Sequence, residues 1–152
     1  MVPVTPSHYQ APGWFTRNVF NRAVAALTRA GVSFWGSRVL EVRGRKSGEP
    51  RRTPVNLLTL NGRRYLVAPR GQTQWVRNLR AAGGEGDLLL GRRREHFRAI
   101  EIDNAEKEPI LRAYLDRWKW EVGQFFGGVG AESSVAELQR IAPDHPVFRV
   151  GD

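Results

Sequence analysis

The sequence predicts an α+β domain in which about six mostly antiparallel strands curl into a barrel, with flanking helices. Three observations carry this. Short runs alternate apolar with polar residues, as half-exposed strands do. These runs are joined by tight-turn signals rather than by the long crossovers that parallel strands require. Helical periodicities then stand before, between and after them.

The elements follow in order. Residues 1–12 carry three prolines and read as a flexible arm. From Gly13 to Ala30 the spacing is helical: Phe20, Val24 and Leu27 share a face with Trp14 and Ala23, and Gly31 is a stop. Arg38 to Arg43 alternates as a strand, Thr53 to Leu60 is a second, and Tyr65 to Ala68 a third. Asn61-Gly62 between the last two is a strong two-residue hairpin signal. Thr73 opens a short helix closed by glycines. Asp87 to Leu90 and Glu95 to Ile102 form another hairpin, turning through "GRRR". Asp103 or Asn104 caps a longer helix carrying Ile110, Leu111, Tyr114, Leu115 and Trp118. A glycine-rich break follows. Ser134 and Glu137 make a capping box for a last helix ending near Ala142, and "HPVFRV" closes the sheet. Residues 13–152 therefore read as one domain.

A chain of 152 residues can bury a core of its own. Apolar residues make up 41% and charged residues 26%, as in soluble globular proteins. The absence of cysteine excludes disulfides, thiolate catalysis and cysteine zinc sites. The three histidines are scattered without metal-ligand spacing, so no metal is expected. With neither a signal peptide nor an apolar run long enough to span a bilayer, the expected location is the cytoplasm. The net charge of +9 implies either an anionic partner or a bland need for solubility. Nucleic acid fits poorly, because the cations cluster in loops and no nucleic-acid-binding motif is present. Arg17, Arg22 and Arg29 lie opposite the apolar face of the first helix. That pattern suits a barrel lid, and it also suits peripheral contact with a membrane surface.

Two stretches carry the chemistry. "RGRKSGEPRRTPVNLL", from Arg43 to Leu58, holds four arginines and a lysine around Gly44 and Gly48. The glycines let successive backbone N–H groups turn toward an anion. Arg45, Lys46 and Arg51 surround that point with charge, and Ser47 adds a hydroxyl. A solvated hairpin turn is the competing reading. "APRGQTQWVRNL" is the second stretch. It leaves a strand, turns through Arg70 and Gly71, and enters a helix whose first turns hold Gln74, Trp75 and Asn78. Trp75 and Leu79, one helical turn apart, also suit a core. Farther on, Tyr114, Trp118, Trp120, Phe125 and Phe126 run from a helix into a glycine-rich segment, where aromatics can wall an apolar pocket. No nucleophile with its base and no carboxylate pair stands out, so a cofactor is expected to carry any reaction.

Taken together, G-R-K-S-G-x-x-R-x-x-P and W-x-x-N-L resemble the deazaflavin-dependent nitroreductase family of actinobacteria, over about Gly13 to Val150. That resemblance implies a split β-barrel and coenzyme F-420, an 8-hydroxy-5-deazaflavin with a phosphodiester and an oligoglutamate tail. It implies that Arg45, Lys46, Ser47, Gly48 and Arg51 hold the phosphate. Arg70 and Gly71 would lie near the tail or ring edge, and Gln74, Trp75 and Asn78 beside the deazaflavin. Tyr114, Trp118 and Phe126 would line the pocket for a small hydrophobic acceptor: a quinone, a nitroaromatic or an enone. Flavin mononucleotide is the alternative cofactor, and a non-catalytic cofactor or lipid carrier the alternative role. Homodimers occur among such barrels. This chain departs from the resemblance in its short loop from Arg70 to Trp75, in Pro69, and in tryptophan and phenylalanine where those enzymes carry tyrosines.

Overall fold

The structure is a computed structural model that describes residues 36–151. The expected arm and first helix lie outside the described residues. Six strands form one closed barrel: β1 (Ser37–Arg43), β2 (Pro50–Leu60), β3 (Arg63–Val67), β4 (Glu85–Leu90), β5 (Arg93–Glu101) and β6 (Val147–Val150). They run around the barrel as β1-β2-β3-β6-β5-β4, and every pairing among them is antiparallel. The expected fold class holds.

Two long strands split the barrel. β2 pairs with β1 through Pro50 to Asn56 and then with β3 through Leu57 to Leu60. β5 pairs with β4 through Arg98 and then with β6 from Ala99 onward. The β2–β3 hairpin turns at Asn61 and Gly62, both with positive φ, as a two-residue turn of this hand requires. Gly84 marks the other switch. A β-carbon there would fall 2.2 Å from the Ala99 carbonyl oxygen, so only glycine lets these strands close on each other.

Alternation along the strands builds two cores. Inside the barrel, Leu40, Val42, Leu57, Leu66, Phe97 and Phe148 pack with Val76 and Leu79 of α1 (Gln74–Ala81). Outside it, Leu58, Tyr65 and Val67 receive α2 (Glu108–Val122) and α3 (Val135–Ile141). The Ser134 hydroxyl accepts from the Glu137 N–H at 3.1 Å, so the cap of the last helix is as expected.

Most strand ends lie within two residues of the expected ones, and two boundaries differ by more. β2 begins at Pro50 rather than Thr53, because Arg51 and Arg52 pair across to Val42 and Glu41 as exposed strand residues. Asp103 caps a short 3-10 turn, and the long helix starts only at Glu108, with Pro109 in its first turn. That helix is kinked at Trp118, which leaves the helical region at φ −125° and ψ 19°.

Candidate functional site

The β1–β2 loop and α1 face each other across a cleft of about 370 Å³. The loop is a built turn: Gly44 N–H donates to Glu49 O at 2.8 Å and Gly48 N–H to Gly44 O at 2.9 Å. A β-carbon at Gly44 would lie 2.9 Å from Ser47 Oγ, so a side chain would close the turn's interior. α1 pins the loop. Asn78, buried in the helix, accepts from the Arg45 backbone N–H at 3.1 Å and from its guanidinium at 2.8 Å. The same guanidinium donates to Gln74 Oε1 at 2.8 Å. The Ser47 hydroxyl accepts from Glu49 N–H at 3.1 Å and from Arg51 at 3.3 Å.

The charge of this cleft is one-sided. Arg45, Lys46, Arg51, Arg52 and Arg70 all line it, and no carboxylate among the described residues does. Arg52 is paired outward with Glu41 at 2.7 Å. Arg45 is held instead by neutral amide oxygens, which fix its position without cancelling its charge. Such a wall suits an anion that brings several oxygens. Thr73, the N-cap of α1, adds a hydroxyl that is buried without a hydrogen-bond partner among the described residues. A phosphodiester with an extended anionic tail fits this donor set.

A smaller cleft of about 100 Å³ adjoins the first through Thr53, Arg70, Thr73 and Trp75. Its far side is made by Asn56 of β2 and by Tyr114, Glu121 and Val122 of α2. Asn56 Nδ2 donates to Glu121 Oε2 at 3.0 Å. Burial raises the Glu121 carboxyl above the ordinary carboxylate range, and the Asn56 bond opposes it only in part. Burial also raises the Tyr114 hydroxyl, helped by the neighbouring Glu121 charge.

Of the residues singled out from the sequence, Arg45, Lys46, Ser47, Arg51, Arg70, Gln74, Trp75 and Asn78 all come together on the first cleft. Gly48 and Gly71 are turn residues with positive φ, and neither lines it. Gly48 instead borders a hollow beside Glu41, Asp87 and His96. Trp75 serves both of its readings: it lines both clefts and packs against Phe148 with ring centroids 5.9 Å apart. Tyr114, Trp118 and Phe126 are core side chains, each 1% exposed. Tyr114 reaches the second cleft, whereas Trp118 and Phe126 line neither. Helical spacing turns Trp118 inward with Tyr114, and Phe126 stacks on the buried His145 at 4.0 Å. The sequence reading missed Arg52, Thr53, Thr73, Asn56 and Glu121. Glu121 left one trace: it stands seven residues after Tyr114, a carboxylate on an otherwise apolar stripe.

A family model described as F420H(2)-dependent quinone reductase matches residues 15–121. The chain belongs to that family. It is an oxidoreductase of the F420H(2)-dependent class, and the loop and W-x-x-N-L motif fall inside the matched span. No curated protein matches the sequence. Among solved structures the chain resembles an F420-H2 dependent reductase, FDR-A, at 20% identity, with a TM-score of 0.50 over 76% of this chain and 94% of that one. It also resembles a domain-swapped dimer at 18% identity, with a TM-score of 0.55 over 90% and 97% of the two chains. A third is the conserved hypothetical protein Rv2991 from Mycobacterium tuberculosis, at 17% identity and a TM-score of 0.51, over 76% and 71%. These identities speak for a shared fold. Among the described residues, no helix is long and apolar enough to cross a membrane.

Proposed function

We propose that the basic cleft binds coenzyme F-420 and that the adjoining cleft receives the molecule it reduces, a small acceptor with a conjugated carbonyl such as a quinone. The observation that carries this is the wall of five cations, with no carboxylate among the described residues, built where the loop meets α1. Arg45, Lys46 and Arg51, with the Ser47 hydroxyl, hold the phosphodiester. Arg70 and Lys46 attract the carboxylates of the tail, and Trp75 and Thr73 border the ring. When bound and reduced, the deazaflavin supplies a hydride. The chain's own part is to fix the cofactor by its anionic end, to orient the acceptor beside Trp75, and to exclude water with the apolar side chains of β2 and α2.

A fluorescence titration tests the reading, with oxidised coenzyme F-420 and flavin mononucleotide in parallel. We expect micromolar or tighter binding of F-420, with flavin mononucleotide weaker by about tenfold or more, because it lacks the anionic tail. Equal or preferred binding of flavin mononucleotide would replace the cofactor, and binding of neither would leave only the fold. An acceptor screen with menadione, a nitroaromatic and a cyclic enone then ranks substrates, and the quinone is expected to lead.

A further inference from the structure

We propose that Glu121 is the acid that completes reduction in the second cleft, delivering a proton from its carboxyl to the acceptor oxygen, with Asn56 as the positioning residue. This rests on the reading above that the reduced acceptor occupies this cleft. The geometry is particular. Glu121 and Asn56 come from α2 and β2, 65 residues apart, and meet at 3.0 Å on the wall of a cavity. Asn56 fixes one carboxylate oxygen, Oε2, through its amide N–H, and both residues line the cavity. Pro54, Val55, Val67, Ala68 and Val122 give the lining an apolar side, and Thr53, Arg70 and Thr73 a polar one. Burial there shifts the carboxyl toward its protonated form, the direction a proton donor needs. The other titratable groups of this cleft are Arg70, from the turn between β3 and α1, and Tyr114, from α2; β2 adds none. Tyr114 is a weaker candidate, since burial pushes its hydroxyl up and away from proton donation near neutrality.

Two-electron reduction of a quinone to a hydroquinone requires one hydride and one proton. The hydride brings both electrons and one hydrogen. The Glu121 O–H bond then breaks as an O–H bond forms on the anionic acceptor oxygen, and the resulting carboxylate recovers its proton from solvent. The bland alternative is that Glu121 merely satisfies Asn56. That role predicts changes in stability without a change in proton transfer.

The test uses Glu121→Gln, which keeps the size and can still bond Asn56 but cannot give a proton. Coenzyme F-420 should bind this variant within about twofold of wild type. The kcat for menadione should fall about 100-fold with KM little changed. The wild-type fall in kcat as pH rises through the Glu121 value should vanish in the variant. Infrared pH titrations of the cofactor-free proteins give a readout independent of turnover: in wild type a protonated carboxyl band that persists above the ordinary carboxylate range, lost in Glu121→Gln. Asn56→Ala is the second variant. It removes the bond that favours the carboxylate, so the same fall in kcat should move to higher pH. A Glu121→Gln enzyme with kcat within about threefold of wild type and an unchanged pH profile would overturn the assignment. So would a wild type in which no carboxyl band persists above the ordinary carboxylate range. If wild type did not bind F-420 at all, the functional reading would fail, and this assignment with it.

Discussion

The protein spends its arginines in two different ways. On the outer face of β1, β2, β4 and β5, cations and carboxylates interleave in one network across the strands. Arg52 is opposite Glu41, Glu41 opposite Asp87, and Asp87 opposite His96. Glu41 pairs with Arg52 and Arg94 at 2.7 Å each, Arg94 also meets Asp87, and His96 sits between Asp87 at 2.7 Å and Glu85 at 2.8 Å. Across the β1–β2 loop the pattern reverses. Arg45 is positioned with equal care, but by the neutral amides of Gln74 and Asn78. Cross-strand ion pairs on an exposed face are a local stabilising device of modest size. A cation held by uncharged acceptors keeps its field for something else. The +9 charge of the chain is therefore not a uniform property of its surface.

Four experiments break or sharpen this contrast. The largest effect belongs to Arg45→Ala with Lys46→Ala, which should weaken F-420 binding at least about 100-fold, since each charge-assisted phosphate contact is worth roughly 1.5–3 kcal/mol. Thermal stability should barely move. Next comes Asn78→Ala, which frees the Arg45 backbone and leaves its guanidinium to Gln74. Affinity should drop about tenfold, and stability by about 1–2 kcal/mol through the lost buried bonds. Third, raising the salt concentration should weaken F-420 binding severalfold, because the cleft charge is exposed when the ligand arrives.

The smallest effect lies on the paired face. Glu41→Gln should leave F-420 affinity within about twofold and cost no more than about 1 kcal/mol of stability. The hydrogen bonds from Arg94 and then Arg52 hold the Glu41 carboxyl below its ordinary value. Its contribution is thus present above the ordinary carboxylate value and is lost as pH falls through the lowered, folded one. Melting curves from neutral to acid pH should show wild type and Glu41→Gln converging at the acid end.

How much of this was readable beforehand depended on whether the signal was local. Alternation and the Asn61-Gly62 turn are properties of adjacent residues, so the barrel strands were legible. The start of β2 was not: Pro50, Arg51 and Arg52 are all exposed, and a fully polar strand edge looks like a loop. The basic cleft was legible because its loop and its helix each carry a compact motif, and only their meeting through Asn78 needed the structure. Trp118 and Phe126 look alike whether they wall a pocket or fill a core, and here they fill one. The Asn56–Glu121 contact depends on how α2 lies against β2, which no local pattern specifies.

The central claim is that the β1–β2 loop holds a phosphate. The most direct test compares coenzyme F-420 with its 8-hydroxy-5-deazariboflavin core, which lacks the phosphodiester and tail, on wild type and on Arg45→Ala with Lys46→Ala. The account predicts that wild type prefers the full cofactor by about 100-fold or more and that the preference largely disappears in the variant. Equal affinity of wild type for the two ligands, or a preference that survives in the variant, would contradict it.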